Sequence, residues 1–266
     1  MLLGGGAQLL WVAVLPLVLF LVVPLLVLLG RTAVTGGLLS YLTSPVVVAA
    51  LRLSLLTAGV TLLVTLVLGT PVAYLLARYR FPGRELLDTL LDLPMVLPPA
   101  VAGVALLMTL GRRGALGPAL TAFGIEISFT TTAVVLAQLF IAAPFYVKAA
   151  RSGFATVSPA LEEAAAASGA CPWQTFRRVT VPLARPALLA GAVMTWARAL
   201  GEFGATIMFA GNFLGTTQTM PLAIYAAMER DLNAALVLAS ILLVLSFAVL
   251  GGLKACAAPG LTRLPG

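Results

Sequence analysis

Residues 9–30 read LLWVAVLPLVLFLVVPLLVLLG, an apolar stretch that contains no charged residue. A helix needs roughly 20 mostly apolar residues to cross a hydrocarbon core of about 30 Å, so this stretch predicts a membrane-spanning helix. Its two prolines, Pro16 and Pro24, are compatible with that prediction because membrane helices tolerate proline. A cleaved signal peptide is the competing interpretation. It is disfavoured because residues 1–10 carry no Lys or Arg and the apolar stretch is too long.

The composition extends this interpretation to the whole chain of 266 residues. Hydrophobic residues make up 61% of it and charged residues only 9%, whereas soluble domains are about 25% charged. The mean hydropathy is +1.09, so lipid must solvate much of the surface. We therefore predict an all-α, polytopic fold in one transmembrane domain, residues 1–266, with about six spans at 9–30, 54–77, 93–111, 129–147, 186–209 and 232–253.

The basic residues predict the orientation of the spans. The net charge is +7, which in a soluble protein would suggest nucleic acid as a partner. Here the charges lie mainly between apolar stretches, so membrane topology and anionic lipid explain them and nucleic-acid binding is not expected. One side carries Arg78, Arg80, Arg84, Lys148, Arg151, Arg177, Arg178, Arg185, Lys254 and Arg263, and the other Arg31, Arg52, Arg112, Arg113 and Arg230. This asymmetry predicts a multi-pass membrane protein whose two termini are both cytoplasmic.

The residue types argue against catalysis by this chain. It contains no histidine, which excludes Ser–His and His-based zinc chemistry. The two cysteines, Cys171 and Cys256, lie far apart and form neither a disulfide framework nor a metal-ligand cluster. No paired-carboxylate motif occurs, so an intramembrane enzyme is disfavoured. We expect neither a cofactor nor a metal to be bound by this chain.

The most patterned polar segment, residues 158–186, reads SPALEEAAAASGACPWQTFRRVTVPLARP. Ser158 can cap a helix that Gly169 ends in a left-handed conformation. Pro172 can begin a second short helix, which Pro182 is expected to end. The sequence therefore predicts a helix–Gly–helix element across the cytoplasmic surface. From the residues alone, an ordinary interfacial connection and a docking element are equally good interpretations.

This segment makes up most of the longest interior connection of the chain, residues 148–185. It resembles the EAA loop of ABC importer permeases. The resemblance rests on three motifs and their spacing. Glu163-Ala164-Ala165 is followed after three residues by Gly169, and Gly169 is followed after nine residues by VTVP at 179–182. It implies a coupling helix seated in a partner ATPase, with contacts from Glu163, Ala164, Ala165, Gly169 and Pro182. The chain has no G-x-x-x-x-G-K-S/T motif for nucleotide phosphates, so ATP and Mg are expected to be used by that partner.

Two further stretches resemble the molybdate/tungstate permeases, with sulfate permeases as close relatives. They are RYRFPGRELLDTLLDLPMVLPPAVAGVALL at 78–107, followed by GRRGALG at 111–117, and RALGEFGATIMFAGNFLGTTQTMPLAIYAAME at 198–229. The resemblance implies two copies of the chain around a pathway in the plasma (inner) membrane of a prokaryote. It also implies a cytoplasmic ABC ATPase dimer and an external oxyanion-binding protein as partners. A sulfate or thiosulfate permease is the first alternative. A secondary transporter is the alternative of another class.

Four polar residues are candidates for the pathway or its gate. Arg198 and Glu202 are four residues apart, so they share a helix face and can pair. Charged groups at membrane depth usually face a bundle interior or water. A buried pair that only locks helix packing is the alternative. Thr216 and Thr217 could line the outer exit or contact the binding protein, or simply belong to a polar loop.

Overall fold

The structure is a computed structural model that describes residues 6–35, 41 and 43–257. Within this part of the chain it is helical and has no β-strand. The helices are α1 (Gly6–Thr35), α2 (Pro45–Arg78), α3 (Arg84–Val96), α4 (Pro99–Leu110), α5 (Gly117–Ala122), α6 (Thr131–Thr156), α7 (Pro159–Ala167), α8 (Pro172–Leu200), α9 (Gly204–Ala210), α10 (Met220–Met228) and α11 (Leu232–Ala257).

Five of these helices are long and apolar enough to cross a membrane, and a bent pair of helices can supply a sixth crossing. The five are α1, α2, α6, α8 and α11, and the bent pair is α3 with α4. The prediction of an all-α membrane protein with about six spans is therefore confirmed. We assign the cytoplasmic face to the end that carries the basic ends of α2 and α6, following the asymmetry of basic residues.

The third crossing differs from the predicted helix at 93–111. The chain bends by 115° between α3 and α4, and Leu97 between them is extended, with φ −65° and ψ 135°. The cause is the Pro98-Pro99 pair, because a residue before proline avoids the α conformation and proline has no N–H to donate. Pro94 remains inside α3. The 12 residues of α4 span only about 18 Å, which is too short to cross the membrane alone.

The fifth crossing also differs from its predicted range, 186–209. Helix α8 begins earlier, at Pro172, and ends at Leu200. Residues 201–203 then interrupt the helix before the short α9 begins. Instead of one helix to residue 209, the structure thus has a break beside Glu202.

The expectation that Pro182 ends a short helix is wrong, because α8 continues through it. A π-helical turn at Phe176–Thr180 precedes this proline, and the N–H of Val181 donates to the carbonyl of Phe176, five residues back. A proline inside a helix has no N–H to donate, and its ring clashes with the carbonyl four residues earlier. The wider π-helical turn lets α8 accommodate Pro182 without that clash.

Two further spans are longer than predicted. Helix α2 begins at Pro45 instead of residue 54, with the proline in its first turn, where the missing N–H is harmless. Helix α6 extends from Thr131 to Thr156 instead of ending at residue 147. Its added turns carry Lys148 and Arg151, whose side chains pair with α3 instead of lying in a loop.

The core of the bundle is α6 packed between α2 and α8. Small residues permit these close contacts: a Cβ at Gly191 would lie 2.8 Å from that of Ala149, and one at Gly153 would lie 2.5 Å from that of Ala187. A stripe of buried hydroxyls on α2 faces this core, and Gln138 on α6 bridges two of them, Thr57 at 3.2 Å and Thr61 at 3.1 Å. Such bonds satisfy polar groups that neither lipid nor an apolar core could.

Candidate functional site

The predicted coupling element consists of α7, the Gly169 turn and the first turns of α8, residues 158–182. Gly169 ends α7 with φ +85°, a conformation that favours glycine. The N–H of Gly169 donates to Ala166 O at 2.9 Å, and that of Ala170 donates to Ala165 O at 3.1 Å. This pair of bonds is a Schellman motif, so the left-handed helix end predicted at Gly169 is confirmed. Ser158 does occupy the N-cap, but its side chain makes no capping hydrogen bond there.

The predicted contact residues are mostly accessible. Glu163, Ala164 and Gly169 are exposed, Ala165 is half-buried, and Pro182 is exposed further along the chain, in α8. No residue of α7 is buried. The element therefore offers a smooth alanine surface that a second protein could approach.

Two apolar side chains enlarge this surface and were missed by the sequence reasoning. Trp173 is 64% exposed and Leu161 is 49% exposed. The indole of Trp173 stacks on Phe176, with ring centroids 5.7 Å apart. Phe176 packs in turn edge-on against Tyr74 of α2, at 5.0 Å. The signal available in the sequence was a tryptophan in a polar connection, where an exposed aromatic often marks a contact surface.

Glu162, not its neighbour Glu163, ties the element to the bundle. Its Oε1 accepts from Arg78 Nη2 at 3.0 Å and from the Thr180 hydroxyl at 2.6 Å. Arg78 Nη2 also donates to Val157 O, at the end of α6, at 2.9 Å. The guanidinium therefore joins the carboxyl-terminal ends of α2 and α6 to α7. Sequence reasoning missed these partners of Glu162.

An ion cluster holds α3 to α6 at the same face. Lys148 Nζ lies 3.0 Å from Asp88 and 2.8 Å from Asp92, and Arg151 pairs with Asp88. These side chains are 27–45% exposed. Helix α3 has no buried residue, so these pairs and the partly buried Leu87 and Leu91, which pack against the core, together hold it against the bundle.

The predicted Arg198–Glu202 pair is present beside the break between α8 and α9. Arg198 Nη1 lies 2.6 Å from Glu202 Oε2, and the side chains are 30% and 1% exposed, respectively. The other oxygen, Glu202 Oε1, accepts from the N–H of Ala205 at 2.9 Å, in the first turn of α9. Glu202 thus neutralises the arginine and caps the helix that follows. Of the two side chains, only that of Arg198 is accessible from outside the protomer.

The two threonines predicted at the outer exit are placed differently. Thr216 is exposed, and its carbonyl accepts from the Thr131 hydroxyl at 2.8 Å. Thr217 is fully buried, and its hydroxyl accepts from the N–H of Phe213 at 2.9 Å. Thr217 therefore closes a turn in this structure, and only Thr216 is free to meet solvent or a partner.

The described part of the chain holds no group of three or more Cys, Asp or Glu residues that could bind a metal ion. Cys171 is an exposed, free thiol at the start of α8. Cys256 lies outside the residues whose side chains the structure describes.

A polytopic helical bundle with an exposed two-helix element on its basic face has the architecture of an ABC importer permease. The chain belongs to the family of binding-protein-dependent transport system inner membrane components, whose pattern matches residues 69–259. It is therefore a multi-pass inner-membrane permease. This membership overturns the alternative of a secondary transporter.

Similar proteins include a molybdenum transport permease and a sulfate transport permease. The molybdenum transport system permease protein ModB of Mycobacterium tuberculosis is 43% identical over 214 residues, covering 80% of this chain and 81% of that protein. The sulfate transport system permease protein CysT of Escherichia coli is 40% identical over 210 residues, covering 79% and 76%. A crystal structure of a bacterial ABC transporter for alginate import shares the fold, with a TM-score of 0.76 over 96% of each chain at 18% identity.

Proposed function

We propose that this chain is the pathway-forming subunit of an ATP-driven importer of molybdate or tungstate, working as a homodimer with two cytoplasmic ATPase subunits. An external binding protein delivers the anion. The observation that carries the proposal is the exposed coupling element, an ordered docking surface on a chain that has no nucleotide-binding motif of its own.

The surface chemistry of the coupling element suits a cleft in the ATPase. Alanines let a partner backbone approach closely, and the exposed Trp173 and Leu161 are side chains that a cleft can desolvate. Arg177 and Arg178 are exposed on the next turn and would meet an acidic rim. In this proposal, ATP-driven closure of the ATPase dimer moves α7, and the spans attached to α7 carry that movement to the gate.

The break between α8 and α9 supports a pathway next to a second copy of the chain. Irregular backbone at membrane depth is tolerated only where protein or water covers it. Gly201, at this break, is exposed in the single protomer, so a second protomer or a water-filled path must cover it. Arg198 lies one turn earlier and is partly exposed, so its guanidinium can attract a dianion while Glu202 prevents tight retention.

The substrate is proposed as a tetrahedral dianion, with molybdate or tungstate first. Molybdenum permeases are among the relatives that match over most of their length. Sulfate is the second candidate, because a sulfate permease matches at nearly the same identity. Both anions share charge and geometry, so a polar pathway would barely separate them, and the binding protein would select.

The coupling role is tested at Gly169. At φ +85° a Cβ there meets nothing within 4 Å, so Gly169→Trp adds bulk to the docking surface and about 1–2 kcal/mol of backbone strain. We expect normal membrane insertion with lost transport. Gly83→Trp is the matched control, because Gly83 also has φ +85° and open space but lies outside the element. Normal transport by Gly169→Trp with the ATPase bound would refute the coupling role.

The substrate is tested by uptake of labelled molybdate and labelled sulfate in a strain that lacks this gene, with and without the gene restored. Loss of molybdate uptake alone, together with competition by tungstate, is the expected result. Loss of sulfate uptake would transfer the assignment to sulfate and leave the coupling argument standing. Unchanged uptake of both anions would contradict the oxyanion assignment.

A further inference from the structure

Three helices meet at a single carboxylate oxygen on the cytoplasmic face. Glu162 Oε1, on α7, accepts from Arg78 at the end of α2 and from Thr180 in α8. We call Arg78, Glu162 and Thr180 the Glu162 junction. Thr180 is fully buried, and the side chains of Arg78 and Glu162 are only 13% and 18% exposed. Water therefore screens these bonds poorly, and each is stronger than a surface ion pair would be.

The junction changes how α7 is attached to the bundle. The chain itself joins α7 only to α6 before it and to α8 after it, and the second connection runs through the turn at Gly169. The junction adds a third attachment, to α2. Arg78 also reinforces the attachment of α7 to α6, because the same nitrogen that binds Glu162 donates to Val157 O at the end of α6. A displaced α7 must therefore carry the end of α2 with it.

The junction also holds an irregular turn. Thr180 is the last residue of the π-helical turn Phe176–Thr180 in α8. Such turns can shift the hydrogen-bonding register of the helix that follows, and they often occur at functional positions. The hydroxyl of Thr180 is held by Glu162 at 2.6 Å, so movement of α7 acts directly on the point where α8 departs from α-helical geometry.

We infer that Glu162 is the positioning residue that transmits displacement of α7 to α2 and α8, whereas Glu163 faces the partner. This inference rests on the proposed function, because it requires a partner that moves α7. Docking and transmission then reside in adjacent residues of one short helix, with Glu162 half-buried against the bundle and Glu163 exposed. Loss of the junction should leave the ATPase bound and active but unable to drive the gate.

The test uses the complete transporter in lipid vesicles: this chain, its ATPase and its binding protein. Two quantities are measured, namely the ATPase retained on purification and the molybdate imported per ATP hydrolysed. Thr180→Val removes the buried hydroxyl at nearly constant volume, and Thr180→Ser keeps it. Glu162→Ala removes the acceptor. Thr156→Val is the control, because the Thr156 hydroxyl donates only to Gly153 O within its own helix.

We expect Thr180→Val and Glu162→Ala to lower import per ATP by about tenfold or more, the effect of losing a hydrogen bond to a buried charge. ATPase retention should stay at the wild-type level, and Thr180→Ser and Thr156→Val should import normally. Wild-type import per ATP in both Thr180→Val and Glu162→Ala would overturn the inference. Loss of the ATPase from both would also overturn it, by assigning the junction to docking. A wild-type chain that retains no ATPase would refute the proposed function and the inference together.

Discussion

Replacing Glu202 with Ala should destabilise the permease by about 3–4 kcal/mol, as judged from the burial of its ion pair and its capping bond. Removing one partner of a buried ion pair costs about 3–5 kcal/mol. Arg198 is 30% exposed and can recover some hydration, so roughly 2–3 kcal/mol of that cost applies here. The substitution also removes the cap on Ala205 N–H, worth about 1 kcal/mol.

The assay is thermal unfolding of the purified permease in detergent. A loss of this size should lower Tm by at least about 6 °C, at about 2–4 °C per kcal/mol for a domain of comparable length. Glu202→Gln keeps an acceptor for Ala205, so the cap survives and only the ionic attraction is lost, about 2–3 kcal/mol by the same estimate.

The matched control is Glu126→Ala. The Arg112–Glu126 pair has the same 2.6 Å separation, but its side chains are 68% and 50% exposed. An exposed pair contributes about 0–1 kcal/mol, so Tm should barely change. If Glu202→Ala were no more destabilising than Glu126→Ala, burial would not set the strength of the Arg198–Glu202 pair, and the reasoning would be refuted.

Two other substitutions test the packing at the broken helices. Gly103→Ala places a Cβ 2.7 Å from the carbonyl oxygen of Ala205, a backbone atom that cannot move aside, so we expect a loss of about 1–3 kcal/mol in thermal unfolding. The control is Gly59→Ala, where an added Cβ has nothing within 4 Å, so this substitution should be neutral or stabilising. Equal Tm values for the two variants would contradict the close approach of α4 and α9. Asp88→Asn weakens the ion cluster that joins α3 to Lys148, so amide hydrogen exchange over residues 84–96 should accelerate. High salt should have the same effect on the wild type. Unchanged exchange would show that other contacts hold α3.

Local signals in the sequence predicted the approximate number of spans and the coupling turn, because each of these depends on neighbouring residues alone, whereas the ends of several spans were wrong. The apolar stretch at 9–30 requires a lipid-exposed helix whatever surrounds it, and Gly169 followed by Pro172 ends one helix and begins another. The pairing of Arg198 with Glu202 followed from their spacing in the same way.

The features that sequence reasoning missed depend on distant contacts. Which of two adjacent carboxylates faces the bundle is decided by Arg78, 84 positions before Glu162. Likewise Pro182 would end most helices, and only the π-helical turn before it lets α8 continue. The break between α3 and α4 follows from Pro98 and Pro99 and was a sequence prediction. Only its angle of 115° depends on distant contacts, because the two halves pack against α6 and α9.

The most direct test of the central claim is ATP-dependent uptake by vesicles that contain this chain with its ATPase and binding protein. Labelled molybdate should accumulate only when ATP is inside the vesicles with the ATPase and the binding protein is outside. An imposed ion gradient without ATP should give no uptake. Accumulation driven by the gradient in the absence of ATP would contradict the account, because the chain would then transport without the partner that its coupling element is proposed to engage.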